Sequence, residues 1–236
     1  MKIAIMQPYF FPYLGYYSLL KKTDRFILFD TVQFIRHGWI ERNRILKPGE
    51  GWQYIAVPLE KHNRITTISQ ITINNSEDWK GKLLRQLEHY KKRAPFYKET
   101  ISLVESALDI ETNSIVRLNA NILTKTCEYF GLSLHLDIYS EMNLIIDKVT
   151  HPGEWALNIS KVLNAKEYIN PPGGVGIFRG EQFESVGISL KFLANNLSEY
   201  SQRRSRFESG LSIIDVIMFN DINNINKLIN DTRFVI

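Results

Sequence analysis

The chain predicts an α/β fold, Rossmann-like and built on a parallel sheet in its N-terminal half, with a largely helical middle section. Three observations carry this expectation. Residues Lys2 to Met6 and Arg25 to Phe29 are short, mainly apolar runs of the kind found in strands buried on both faces. Between them, about Gly15 to Lys22 has helical character, which gives a strand, helix, strand unit with parallel strands and a right-handed crossover. Beyond Ser76 the pattern changes to that of helices, and short strand-like runs return after residue 133.

The remaining elements follow in order. Trp52 to Pro58 and Ile68 to Ile73 read as extended segments, the second alternating apolar and polar residues like a half-exposed strand. Asn75, Ser76 and Asp78 are capping residues ahead of a helix over Trp79 to Tyr90, and Ile101 to Ala107 and Ile115 to Phe130 repeat apolar residues at helical spacing. Leu134 to Ile138 returns to strand and Trp155 to Leu163 to helix. Glu167 to Ile169 is a short strand ending at Asn170-Pro171-Pro172-Gly173-Gly174, and Ile188 to Leu193 is another. Ser212 to Ile229 reads as one or two helices. No repeat or linker interrupts the pattern, so residues 1–236 are expected to form one α/β domain, with 76–131 a candidate helical sub-region.

Composition narrows the function. The chain has 236 residues, 44% hydrophobic and 23% charged, which is the balance of a globular protein. A net charge of +4 is too mild to demand a nucleic acid, yet it suits an anionic substrate such as a nucleotide or phosphate ester. Cys127 is the only cysteine, so an intrachain disulfide and a cysteine-based zinc site are both excluded, and its apolar neighbours make it a packing residue. The sequence enters a strand directly after Met1 and has no apolar run long enough to span a bilayer, which predicts a soluble, cytoplasmic chain. Its oligomeric state is left open.

The loop after the first strand carries the densest signal. Gln7-Pro8-Tyr9-Phe10-Phe11-Pro12-Tyr13-Leu14-Gly15-Tyr16 places aromatic rings and two prolines where a simple turn would serve. Either the rings pack on the core and the prolines stiffen the turn, or Tyr9, Phe11 and Tyr13 wall a pocket, with Gly15 beside them and Gln7 presenting an amide that both donates and accepts. Ligands bind at the carboxyl ends of strands in open α/β sheets, which favours the pocket.

A second cluster runs from Gln33 to Arg44 and combines three arginines, His37, Trp39 and Asn43. Guanidinium forks suit phosphate and carboxylate oxygens, and Arg42 and Arg44 fall on one side of an extended chain. Asp30 closes the second strand. His37 and His151 are candidate general bases because imidazole titrates near neutrality, but His62, His89 and His135 lack companions, and no paired-histidine metal motif occurs. The Pro171 to Gly176 loop, with Gly173 and Gly174, offers backbone amides to an anion, although a tight turn explains its composition as well. Near the C-terminus Gln202 and Arg203 open a basic stretch that ends at Ser212, a helix cap.

Two resemblances follow from these residues. Tyr13-Leu14-Gly15-Tyr16 is similar in position, and in its glycine, to the signature of HIGH-superfamily nucleotidyltransferases and class I synthetases, but the two phosphate-binding histidines are absent. Met6 to Tyr16, Gly38-Trp39-Ile40-Glu41-Arg42-Asn43-Arg44-Ile45 and Phe207 to Asp215 together resemble the WbqC-like family over essentially the whole chain. The sequence departs from that family's usual pattern at Asp30-Thr31, where two aspartates are common, and at Pro171-Pro172, where Ser-Gly is usual.

The second resemblance implies a place among O-antigen and surface polysaccharide proteins and a glycine or other acyl transfer to an amino sugar. On that expectation the acceptor is linked to a nucleotide or lipid diphosphate, and the donor is an activated acyl group, an aminoacyl-tRNA, or an amino acid with ATP and magnesium. His37 or Asp30 would serve as base, and Gln7 or Asn43 would steady the oxyanion. Arg42, Arg44 and Arg203 would hold the diphosphate. HIGH-type nucleotidyl or adenylyl transfer and non-catalytic nucleotide-sugar binding are the alternatives.

Overall fold

The computed structural model describes residues 1–235. Its centre is a six-stranded sheet in the order β5-β2-β1-β6-β7-β8, formed by β1 (Lys2–Met6), β2 (Arg25–Leu28), β5 (Leu136–Ile138), β6 (Glu167–Asn170), β7 (Ser189–Asn195) and β8 (Thr232–Val235). Neighbouring strands are parallel except β7 and β8. Eight α-helices accompany it among the described residues, which makes the chain a mixed α/β, Rossmann-like fold.

Both faces of the sheet are covered, and β1 shows why its sequence is continuously apolar. Ile3 and Ile5 point to one core with Tyr168, Phe183 and α5 (Glu154–Val162), whereas Ala4 points to the other with α1 (Leu14–Lys21), α7 (Ile213–Phe219) and α8 (Ile222–Asn230). The helices α1 and α5 thus flank opposite faces. Since β1 continues to β2 on one side and β6 lies on the other, the topological switch falls between the carboxyl ends of β1 and β6.

The middle section holds α2 (Trp79–Leu87), α3 (Tyr97–Leu108) and α4 (Ile115–Phe130). Their ends follow the expected chemistry. Asp78 caps α2 by accepting from Gly81 N at 2.9 Å, Ser114 caps α4 through Arg117 N, and Gly131 closes α4 in the left-handed conformation at φ 68°. Asp221 starts α8 after the chain breaks helical geometry at Asn220, so the C-terminal apolar stretch is two helices.

Several elements differ from the sequence expectation. Ile68 to Ile73 is not a strand: a 3-10 turn over Ile68–Gln70, with Thr67 and Gln70 forming a capping box, lets Ile68, Ile71 and Ile73 all reach the core. Their spacing of three and then two requires that turn. The polar Arg42–Leu46 is strand β3, paired antiparallel with β4 (Trp52–Ala56) in a separate hairpin. Neither β8 nor the short α6 (Gly180–Glu184) was signalled by periodicity.

Candidate functional site

The site is built where the three motif stretches meet. The loop after β1 is clamped through its own carbonyls, which accept from side chains of distant segments. Gln7 O accepts from Tyr16 Oη (2.9 Å), Pro8 O from Asn119 Nδ2 (2.8 Å), Phe10 O and Phe11 O from Asn43 Nδ2 (3.0 and 2.9 Å), and Phe11 O also from Ser212 Oγ (2.8 Å). Backbone contacts complete the knot: Phe10 N donates to Trp39 O, Ile213 N to Pro12 O and Ser212 N to Arg44 O. A loop so satisfied is rigid, and its prolines remove donors that would otherwise need partners.

The rings of that loop divide between the two readings. Phe10 and Phe11 are 0% and 1% exposed and meet edge to face, so Phe11 is a core residue, not a pocket wall, and its φ of 39° belongs to the tight bend. Tyr9 and Tyr13 remain half-buried and accessible. Gly15 serves packing: a Cβ there would lie 2.5 Å from Cε2 of Tyr13, whose ring covers the first turn of α1. Gln7 is half-buried at the switch point, and its side-chain amide has no hydrogen-bond partner among the described residues.

Two catalytic candidates are committed elsewhere. Asn43, 3% exposed, gives both amide hydrogens to the loop and accepts from Arg44 N at 2.8 Å, which leaves no donor for an oxyanion. Asp30 is 1% exposed and accepts from Ser140 N (3.0 Å) and Ser140 Oγ (2.6 Å), so it ties the end of β2 to the end of β5. His37 is exposed in a turn at φ 63°. Its backbone N donates to Glu41 Oε1 (2.6 Å) and its carbonyl accepts from Arg42, which leaves the ring open. Burial raises the Glu41 carboxyl above its ordinary pKa, and its other oxygen is buried without a partner.

Arg42 and Arg44 do share a face, as alternation along β3 requires. The Arg42 guanidinium lies 4.0 Å over the Tyr54 ring, and that of Arg44 lies 5.4 Å from Trp39 and 5.2 Å from Trp52. Tyr54 and Trp52 come from the diagonal positions of β4, since Arg44 pairs with Tyr54 and Leu46 with Trp52, whereas Trp39 comes from the segment before β3. Arg44 also donates to Gly210 O at 3.1 Å. Both Nε atoms are buried and unpartnered.

The segment 200–212 runs beside this hairpin. Arg204 reaches across to Lys47 O and Gly51 O, and the turn between β3 and β4 together with Arg93, Arg203, Arg204, Arg206 and Glu208 lines an open cleft of about 710 Å³. Every salt bridge among the described residues lies elsewhere, so Arg42, Arg44, Arg93, Arg203, Arg204 and Arg206 are not neutralised by a carboxylate within 4.0 Å. The hairpin thus carries two cationic groups, Arg42 and Arg44 against Tyr54, Trp39 and Trp52, and the arginine-rich cleft at its turn, whose wall also includes Glu50 and Glu208. Sequence reasoning read the basic clusters Lys91-Lys92-Arg93 and Arg203-Arg204-Ser205-Arg206 mainly as solvated faces and did not single out Trp52 or Tyr54, because the hairpin that brings those rings to the arginines has a polar first strand.

Behind the face sits Asp215, 0% exposed, which accepts from Tyr90 Oη (2.6 Å), Tyr200 Oη (2.6 Å) and Gln202 Nε2 (3.0 Å). Burial pushes its pKa up to about 6 against the opposing effect of these donors. Gln202 is therefore a scaffold residue: its amide is used by Asp215, Glu208 O and Glu208 N, whereas its neighbour Arg203 points into the cleft at φ 50°. In the loop after β6, Gly173 is exposed, but Gly174 is buried against Asn170 and Phe178, so Gly174 too is a packing residue. Cys127 is buried and its thiol pushed up to about 12, as a packing residue would be.

The sequence profile of the WbqC-like protein family matches residues 7–227, from the first loop into α8. The chain belongs to this family. It is also 29% identical over 218 residues, 92% of either chain, to the uncharacterized protein Rv1507c of Mycobacterium tuberculosis (strain ATCC 25618 / H37Rv). No solved structure matches. The matched region includes all three stretches that close the knot around Phe10 and Phe11, so family membership and the clamped loop coincide. No described helix is long and apolar enough to cross a membrane.

Proposed function

We propose that this WbqC-like protein transfers an aminoacyl or acyl group, glycine being the leading candidate, to the amine of an amino sugar carried on a nucleotide or lipid diphosphate. The observation that carries the reading is the face of un-neutralised arginines interleaved with Trp39, Trp52 and Tyr54. A diphosphate needs guanidinium donors and a nucleoside or sugar ring needs a flat apolar partner. The transfer half rests on the family resemblance to surface polysaccharide proteins.

In the step itself the sugar amine attacks the acyl carbonyl, a C–N bond forms, the bond from the acyl carbon to its carrier breaks, and the carrier leaves. His37 takes the amine proton, held beside Arg42 by the hydrogen bond to its carbonyl. Gln7, with its amide unengaged, steadies the developing oxyanion. Adenylyl transfer of the HIGH type has less support, because Tyr16 is fully buried with its hydroxyl committed to Gln7 O.

The test incubates the protein with nucleotide-linked amino sugars and a donor series of glycine with ATP and magnesium, glycyl-tRNA and acyl-coenzyme A, and reads the mass of the sugar. An added acyl group that disappears in the Arg42→Ala, Arg44→Ala double variant supports the reading; product undiminished in that variant refutes the site. The second reading is non-catalytic binding of the same ligand, favoured by the commitment of Asp30 and Asn43 to the fold. Tight binding without turnover for every donor establishes it.

A further inference from the structure

Two loops at the carboxyl end of the sheet form a tip outside the site just described. Gln33 forms an isolated antiparallel bridge with Thr67, and Phe34 N donates to Thr66 O at 2.9 Å, which holds the segment after β2 against a turn over 63–66 closed by Thr66 N donating to Asn63 O. Ile35 and Ile65 flank this contact, one on each segment. Both isoleucines stand in solvent, 66% and 84% exposed. Inside the tip Phe34 is buried, and its ring meets His62 at 5.2 Å, edge to face.

The charges around these two side chains are mainly positive. Arg36 donates to His62 Nε2 (3.2 Å) and His62 O (3.3 Å), Arg64 lends its carbonyl to Gln33 Nε2 (2.6 Å), and neither guanidinium meets a carboxylate. Lys61 adds a third exposed cation, against the exposed Glu60 and the half-buried Glu41, which accepts from His37 N beside Arg36. Arg36, Arg64, Ile35, Phe34 and His62 line one hollow of about 650 Å³.

We infer that this tip docks the protein on an anionic lipid surface, with Ile35 and Ile65 entering the headgroup boundary and Arg36, Lys61 and Arg64 meeting lipid phosphates. Charge complementarity selects an anionic partner, and the two isoleucines select a bilayer over a nucleic acid or an acidic peptide, either of which would leave two aliphatic side chains in water. A tip held by Phe34 and the Gln33 to Arg64 bond can enter the interface without unfolding. Docking here does not depend on which group the arginine face transfers.

Sedimentation of the full chain with vesicles tests it. The expected result is partition onto equal mixtures of phosphatidylglycerol and phosphatidylcholine that weakens with salt and is much lower on phosphatidylcholine alone, with a drop of about tenfold or more in the Ile35→Ser, Ile65→Ser variant. The Ile35→Leu, Ile65→Leu variant should retain partition, which separates loss of apolar contact from loss of fold. Failure of the chain to bind anionic vesicles overturns the inference. So does equal binding by the serine variant, which would mark adsorption by charge alone and a polyanionic partner instead. Soluble nucleotide-sugar binding by the serine variant, read in parallel, should be unchanged, so this inference and the proposed function fail separately.

Discussion

The Tyr90 hydroxyl lies 2.6 Å from the Asp215 carboxylate and at the same time accepts Leu46 N at 2.9 Å. A buried acid in α7 is thereby tied to β3, two residues from Arg44. The arginine face thus rests on a hydrogen-bonded network whose one ionisable carboxylate is held in a dry interior, and this has a measurable pH signature.

Asp215 titrates near 6 in the folded chain, above the ordinary aspartate value of about 3.9. Below about pH 4 the group is protonated in both states and its contribution is fully present. Between there and about 6 the unfolded chain has lost the proton while the folded chain keeps it, so stability falls as pH rises, by at most about 1.4 kcal/mol per unit. Urea titrations across this window should show the gap between wild type and Asp215→Asn shifting in favour of the variant as pH rises, then levelling above 6. A gap independent of pH would contradict the account.

Asn43 is predicted to matter for stability and not for chemistry. Replacing it by alanine leaves the buried carbonyl of Phe10 without a donor and that of Phe11 with Ser212 Oγ alone, a loss of about 1–3 kcal/mol for the one orphaned group. Thermal unfolding checks this directly. A variant with native stability but no ligand binding would return Asn43 to the substrate site.

The two glycines after β6 should separate sharply. A Cβ at Gly174 would overlap Asn170 and sit 2.7 Å from the Phe178 ring, whereas one at Gly173 meets nothing within 4 Å. Gly174→Ala should lose about 1–3 kcal/mol by overpacking, and Gly173→Ala should stay within about 0.5 of wild type. Chemical denaturation of both variants distinguishes this from an anion site, in which both substitutions would weaken ligand binding at unchanged stability.

The parallel half of the fold was legible because β1 and β2 are short, continuously apolar runs, and α4 because its apolar residues recur at helical spacing. β3 was less so: Arg42, Asn43 and Arg44 form a strand only because β4 supplies rings for the arginines and the first loop supplies carbonyls for the asparagine. The same nonlocal partners explain the site. Alternation correctly placed Arg42 and Arg44 together, but the saturation of Asn43, Asp30 and Gln202 is written in contacts with residues 32, 110 and 13 positions away. One signal was present for the buried network: Asp215 stands alone in the apolar run Leu211 to Phe219, where a carboxylate needs buried donors.

The most direct test is a calorimetric titration of a nucleoside-diphosphate-linked amino sugar into wild type and Arg44→Ala. The account predicts saturable binding by wild type, weakened by salt, and a loss of about tenfold or more in the variant while it remains cooperatively folded. Equal affinity in the two proteins, or no binding by wild type across a panel of such sugars, would contradict it.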